Sequence, residues 1–263
     1  TQTAGLAFGG VPGTKNETET YNGSSWTEVN NLNTARGYLG GANAGSQTAA
    51  LGFGGGSPYK ANTESWNGTS WTEVNDMNTA REFVSGSGTQ TAALGAAGYG
   101  PPPTTTSNKV EKWDGTAWTE TTELNTARSQ ASMVGEGYQS LLFGGDKHPA
   151  SPREANETES WDGTTWTELN NLNTARRLVF NSGFGRQSQA ILPGGGEPAL
   201  TAKCEAWNGS SWSEINDLST ATKDKVGIGA GVAGMASGGF TTTAVATTEE
   251  FTSSVTVSTV TLS

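Results

Sequence analysis

Residues able to do chemistry are few in this sequence and mostly repeat. One histidine, His148, and one cysteine, Cys204, stand among 25 acidic and 15 basic residues in 263. A lone His with no Cys or Asp at ligand spacing does not make a metal centre, so no metal and no cofactor are expected. A Ser/His/Asp set would have to be built on that same His, and no Gly-Xaa-Ser-Xaa-Gly elbow accompanies it. Paired carboxylates for glycoside hydrolysis are not excluded by number. Many of the acids, however, recur at equivalent positions (Glu28, Glu73, Glu120, Glu168 and Glu214), where the solvent face of a strand accounts for them. The expectation is a protein that is not an enzyme.

The most regular charged constellation is a Glu followed 17 residues later by an Arg: Glu19/Arg36, Glu64/Arg81, Glu111/Arg128 and Glu159/Arg176. In the fifth copy Glu205 is followed by Thr222, with Lys223 beside it. Such pairs could form a ring of charges for a ligand. Their presence in unit after unit favours a structural carboxylate–guanidinium clamp, with spare Arg donors on backbone carbonyls.

The elements that must position these residues are copies of one unit. Successive Glu residues at 19, 64, 111, 159, 205 and 249 are 45, 47, 48, 46 and 44 apart. Each unit reads as four strand-length pieces, A to D. Piece A is Gly-rich. Piece B is a small-residue or apolar run ending in Gly-Gly or a near variant. Piece C holds the Glu and an aromatic residue. An Asn-Gly or Asp-Gly follows, which signals a type I′ hairpin turn. Piece D then opens with a second aromatic and alternates, as in Trp71-Thr-Glu-Val74, one face dry and one wet. A sheet of four such strands cannot bury both faces alone, whereas radial stacking covers each sheet with its neighbours. About eleven aromatics at the two hairpin positions, each burying about 150–250 Å², supply the packing.

Gly-Gly, Glu-Xaa-aromatic, a short turn, Trp and a following Arg together resemble the kelch repeat over nearly the whole chain. The resemblance implies an all-β, six-bladed β-propeller of four-stranded antiparallel blades. It forms a single domain over 1–263, with blades at about 1–33, 34–78, 79–125, 126–173, 174–219 and 220–263. In kelch proteins a C-terminal tail usually closes the ring. Here Val255 to Leu262 falls in register with piece D of blade 6. Blade 1 is therefore expected to lack its innermost strand, or to receive it from residues before Thr1. Beginning without Met, the sequence reads as a processed product, a fragment or a domain of something longer. Some kelch propellers are copper oxidases, whose site needs two His, a Tyr and a Cys; one His and one Cys do not supply it.

Repetitive Thr/Asn/Gly-rich chains of this style are similar to virion proteins of bacteriophages. That similarity implies a structural or adhesive virion component, such as a fibre tip or decoration, located on the virion or extracellularly. Its partners would be other virion proteins or a host-surface protein or glycan. The alternative is a cellular protein-interaction propeller. A formal net charge of −10 disfavours nucleic acid, and no apolar run reaches the length that membrane insertion needs. Sequons at Asn16, Asn22, Asn67, Asn156 and Asn208 are in three cases the hairpin turn itself.

Length variation locates the candidate binding surface. From the Gly-Gly end to the Glu is 9, 9, 13, 14, 10 and 10 residues. The variable loops therefore join B to C and share one face with the D-to-A linkers, where function is usually built on a rigid scaffold. The two longest run from Tyr99 to Asn108 and from Asp146 to Ala155. Tyr99, Pro102, Asn108, Lys147, His148 and Arg153 are the candidate ligand-binding residues.

Overall fold

In the computed structural model, residues 4–56, 58–103, 105–196, 198–231 and 233–252 are described, with the backbone of 257–260. Every regular element among them is a strand. Blade 1 is β1 (Gly5–Gly10), β2 (Lys15–Tyr21) and β3 (Trp26–Val29). Blade 2 is β4 (Gly40–Gly41), β5 (Ala50–Phe53), β6 (Thr63–Trp66) and β7 (Trp71–Val74). Blade 3 is β8 (Ser85–Thr89), β9 (Ala92–Ala96), β10 (Val110–Trp113) and β11 (Trp118–Glu120). Blade 4 is β12 (Ser132–Glu136), β13 (Gln139–Phe143), β14 (Thr158–Trp161) and β15 (Trp166–Glu168). Blade 5 is β16 (Phe184–Arg186), β17 (Gln189–Pro193), β18 (Cys204–Trp207) and β19 (Trp212–Ile215). Blade 6 is β20 (Val226–Ala230), β21 (Ala233–Ser237), β22 (Thr248–Phe251) and β23 (Val257–Val260).

Each blade is an antiparallel meander in chain order, and the six make a β-propeller. Among the described residues blade 1 has three strands and the other five blades have four. β23 pairs with β22 at the outer edge of blade 6, so the Val255–Leu262 segment does not serve blade 1 over its described residues. Residues 255, 256, 261 and 262 lie outside them.

The hairpin aromatics hold the blades together. Tyr21↔Trp26, Trp66↔Trp71, Trp113↔Trp118, Trp161↔Trp166 and Trp207↔Trp212 are directly opposed, with ring centroids 5.1–5.5 Å apart. Three of the outer Trp residues also reach back to the preceding blade. Trp71, Trp118 and Trp212 donate Nε1–H to Thr18, Thr63 and Thr158 at 2.9–3.0 Å. In blade 3 the position of that Thr is Val110, and the buried Trp166 Nε1 accordingly has no partner.

The turn between C and D differs from the type I′ expectation. Four residues separate the opposed aromatics, and only the Gly is left-handed: Gly23, Gly68, Gly115, Gly163 and Gly209, at φ 95–104°. The preceding Asn or Asp caps the loop through its side chain, as where Asn67 Oδ1 accepts from Thr69 N and Ser70 N at 2.9 Å. An Asx side chain bonding two and three residues ahead replaces the second positive φ.

The Glu/Arg clamp exists, but it joins neighbouring blades. Arg36 pairs with Glu64 (2.9 Å), Arg81 with Glu111 (2.8 Å), Arg128 with Glu159 (2.6 Å) and Arg176 with Glu205, all four pairs buried. The expected partners Glu19/Arg36, Glu64/Arg81, Glu111/Arg128 and Glu159/Arg176 are not bonded. Strand D ends at the rim, and the linker must return to the axis to start the next blade. That path carries the Arg onto the next sheet. There each Glu also takes the linker's amides: Glu111 accepts from Asn78 N (2.6 Å), Asn78 Nδ2 (3.0 Å) and Thr79 N (3.3 Å). Arg36, Arg81 and Arg176 each fill a nest of two further carbonyls, which for Arg81 are Ala97 O (2.5 Å) and Lys109 O (2.9 Å), and Arg128 reaches Glu157 O (3.0 Å). The Gly-Gly is required here, since a Cβ on Gly54 (φ 64°) would lie 2.8 Å from Arg81 O.

In the fifth copy the cation is Lys225, not Lys223. Its Nζ reaches Gly238 O (3.2 Å), Thr247 Oγ1 (3.5 Å) and Glu249 (3.7 Å). These correspond to the Gly54, Asn62 and Glu64 acceptors of Arg36. Lys225 starts three residues later in the chain and enters the nest from the strand-A side.

Candidate functional site

The residues that follow each latch Arg do not repeat. One position on stand Gly37, Glu82, Ser129, Arg177 and Lys223; two positions on stand Tyr38, Phe83, Gln130, Leu178 and Asp224. The second set shares one conformation, left-handed with φ of 53°, 54°, 55°, 58° and 51°. For side chains other than Gly this conformation costs about 1–2 kcal/mol per residue. It is held because the chain must turn sharply from the linker into strand A. Three of these side chains are large and apolar. Tyr38 stacks on Phe83 at 4.2 Å, and Phe83 meets Phe180 edge-on at 5.5 Å.

Between blades 3 and 4 this ring meets the long B–C loops and forms a cleft of about 300 Å³, lined by Glu82, Phe83, Tyr99, Ser129, Gln130, Asp146, His148 and Arg153. Short bridges fix its walls: Glu82 pairs with Tyr99, Tyr99 with Thr106, Ser129 with Asp146, and Asp146 with Glu154. Tyr59 lies 6.1 Å from Tyr99 and extends the aromatic wall.

Two sorts of polar group face the cleft. Asp146 is buried and fully engaged. It accepts from Arg153 Nε (3.1 Å) and Nη2, from Arg177 Nη1 (3.0 Å) and from the His148 amide (2.8 Å). Burial pushes its carboxyl upward, and the bonds from Arg153, His148 and Arg177 outweigh this and hold it below the usual range. Three other groups are unengaged. The Glu82 carboxylate makes no hydrogen bond or ion pair among the described residues, and burial raises its pKa. Gln130 Oε1 and His148 Nδ1 are buried without a partner. Unpaired groups of this kind beside aromatic faces are costly in a closed interior and useful in a site that a polar ligand enters.

Of the six residues expected from sequence, the cleft gathers Tyr99, His148 and Arg153. The others are elsewhere. Lys147 is bonded to Glu157 at 2.6 Å, Asn108 donates to Glu123 at 2.8 Å, and Pro102 is exposed at a loop tip. Glu82, Phe83, Ser129, Gln130 and Asp146 were not expected. For the first four the signal is variation at two fixed positions within an otherwise uniform frame, and Asp146 opens the second of the long loops.

A shallower hollow between blades 2 and 3, about 500 Å³ and lined by Asn78, Trp118, Thr119 and Glu120, lies over the latch. Asn78 is bonded there to Glu111, and Glu120 to Lys109. No group of three or more His, Cys, Asp or Glu among the described residues could hold a metal ion. No helix among them is long and apolar enough to cross a membrane.

No protein-family model matches the chain, and no curated protein matches it in sequence. Among solved structures, that of YjhT superposes with a TM-score of 0.72 over 98% of this chain and 97% of that chain, at 13% sequence identity. The likeness is one of fold.

Proposed function

We propose that this propeller is a non-catalytic binding module whose cleft between blades 3 and 4 takes a hydroxyl-rich ligand, a glycan terminus in preference to a protein side chain. The observation that carries the reading is a pair of buried groups without a partner, Gln130 Oε1 and His148 Nδ1, with the half-buried Glu82 carboxylate, which makes no hydrogen bond or ion pair among the described residues, beside the rings of Tyr99 and Phe83. A sugar presents a C–H face to an aromatic ring and hydroxyls that both donate and accept, which suits two oxygen acceptors and an imidazole nitrogen. The cleft volume is at the small end of ligand pockets, the scale of one or two rings. Absence of catalysis is favoured by the state of Asp146. With four hydrogen bonds it is a poor second carboxylate for Glu82.

The repetitive Thr/Asn/Gly-rich style fits the adhesive setting of a bacteriophage particle, where a rigid disc offers one recognition face to a host surface. The competing reading is a kelch-type protein-interaction propeller. It draws on the exposed loop tips at Pro101–Pro103 and Ala150–Pro152 on the same face.

A glycan array probed with the labelled chain tests the proposal. Binding to a restricted set of glycans, lost at least tenfold in Glu82→Gln and in Tyr99→Ala, is the expected outcome. Silence across the array, or binding indifferent to both changes, would overturn it.

A further inference from the structure

The residue after each latch position exchanges both backbone hydrogen bonds with a residue at the start of the B–C loop. Of the five such pairs among the described residues, only Glu82↔Tyr99 sets a carboxylate beside an aromatic ring. Directly opposed residues present their side chains on one face. The neighbouring pair, Gly37↔Gly56, is bare backbone, and Glu82 uses the space. A Cβ on Gly56 would lie 2.1 Å from Glu82 Oε2 and 3.1 Å from its Cδ. The carboxylate therefore leans over blade 2, from which Tyr59 approaches Tyr99 at 6.1 Å. Its charge adds to burial in raising the Tyr59 phenol.

The charges around the cleft cancel except at Glu82. Arg153 and Arg177 share Asp146, and Arg177 also faces Glu154 at 3.8 Å. Lys147 is matched by Glu157. Glu82 is half-buried and makes no hydrogen bond or ion pair among the described residues. A desolvated carboxylate without a counter-charge is costly, and the rings beside it attract cations on their faces. The other open groups, Gln130 Oε1 and His148 Nδ1, call for donors as well. A carboxylate and an amide oxygen only accept, whereas an ammonium has three donors and no acceptor.

Building on the reading of this cleft as a glycan site, we propose that its ligand is an amino sugar bearing a free ammonium group. The ammonium donates to the Glu82 carboxylate beside Tyr99 and Phe83, and neighbouring hydroxyls donate to Gln130 Oε1 and His148 Nδ1. Neutral and N-acetylated sugars leave Glu82 without its counter-charge, and acidic sugars are repelled by it. Gly56 is a positioning residue: it touches no ligand and leaves the carboxylate its place.

Calorimetric titration at pH 7 tests this with four probes: a glucosamine trisaccharide, its N-acetylated counterpart, a glucose trisaccharide and trilysine. The glucosamine trisaccharide should bind one-to-one and at least about tenfold tighter than each of the others. Glu82→Gln should abolish that preference. Gly56→Ala should displace the carboxylate and reduce the preference at least about threefold, with melting no lower than that of the parent. Indifference to both substitutions would overturn the proposal. If neutral or N-acetylated trisaccharide binds as tightly and is lost in Tyr99→Ala, the glycan cleft stands and the ammonium assignment falls. If no saccharide binds, or binding ignores Tyr99→Ala, both fall. Equal binding of trilysine would show a general cation site and overturn the amino sugar.

Discussion

Replacing Arg81 by Met removes the charge and keeps most of the stem. Three contacts go together: Glu111 at 2.8 Å, Ala97 O at 2.5 Å and Lys109 O at 2.9 Å. Breaking a buried ion pair from one side costs about 3–5 kcal/mol, because the partner charge stays buried. Glu111 retains three donors from Asn78 and Thr79, which places Arg81→Met near the lower limit, about 3 kcal/mol. A double-mutant cycle then separates the two possible pairings. With Glu111→Gln the coupling should be about 2 kcal/mol. With Glu64→Gln, which shares no bonding partner with Arg81, the effects should add to within about 0.5 kcal/mol. Urea unfolding followed by fluorescence of the nine Trp residues reads both. A loss below about 1 kcal/mol, or stronger coupling to Glu64 than to Glu111, would refute the inter-blade latch.

Val110→Thr should stabilise the chain by about 0.5–1.5 kcal/mol, because the new hydroxyl can accept from the unpartnered Trp166 Nε1 as Thr63 does from Trp118; a lower urea midpoint would count against that geometry. Asp224 titrates at about 6, raised by burial against the pull of Lys223. A carboxyl raised in the folded state gives stability that is full below about pH 4 and lost as pH rises through about 6. Asp224→Asn should therefore gain about 1–2 kcal/mol at pH 7, discounted for the group's partial exposure, and nothing at pH 4; equal effects at both pH values would reject this. The Cys204 thiol is buried and pushed up to about 12, so iodoacetamide at pH 8 should label it only as fast as the chain opens. Complete labelling of the folded chain within minutes would show the site to be open.

The sequence carries the scaffold more fully than the site because the two are written at different ranges. Six units, their strands and the aromatic pairs are local patterns, each legible within about ten residues. The latch spans 28 to 31 residues, from Arg36 to Glu64 and from Arg128 to Glu159. A fixed 17-residue spacing inside the unit draws attention to a Glu that the Arg never meets. Position in the string also misleads for Lys225. Lys223 is adjacent to the latch position, but the chain turns there at Asp224 (φ 51°), and the residue beyond the turn is the one that re-enters the nest. The Asn-Gly signal marked the hairpin correctly and its turn type incorrectly, since four residues and an Asx cap do what two left-handed residues would have done.

The same contrast bears on where the proposed recognition would reside. Loop length drew attention to the tips, and the tips hold Pro102 in solvent and Asn108 and Lys147 in local ion pairs and hydrogen bonds. The cleft instead uses loop bases and the positions just past each latch. There the backbone is fixed on both sides by ladder bonds, such as Glu82 N to Tyr99 O at 2.9 Å and Phe83 N to Tyr38 O at 2.9 Å. A Gly at the left-handed position would relieve the strain at the start of blades 2 to 6, yet Tyr, Phe, Gln, Leu and Asp stand there. Variable side chains on a strained, rigidly held backbone are pre-organised at little further entropic cost when a ligand arrives. A mobile loop tip would have to be ordered first. On that ground a search for specificity should begin with exchanges at Phe83 and Gln130, ahead of shortening the loops.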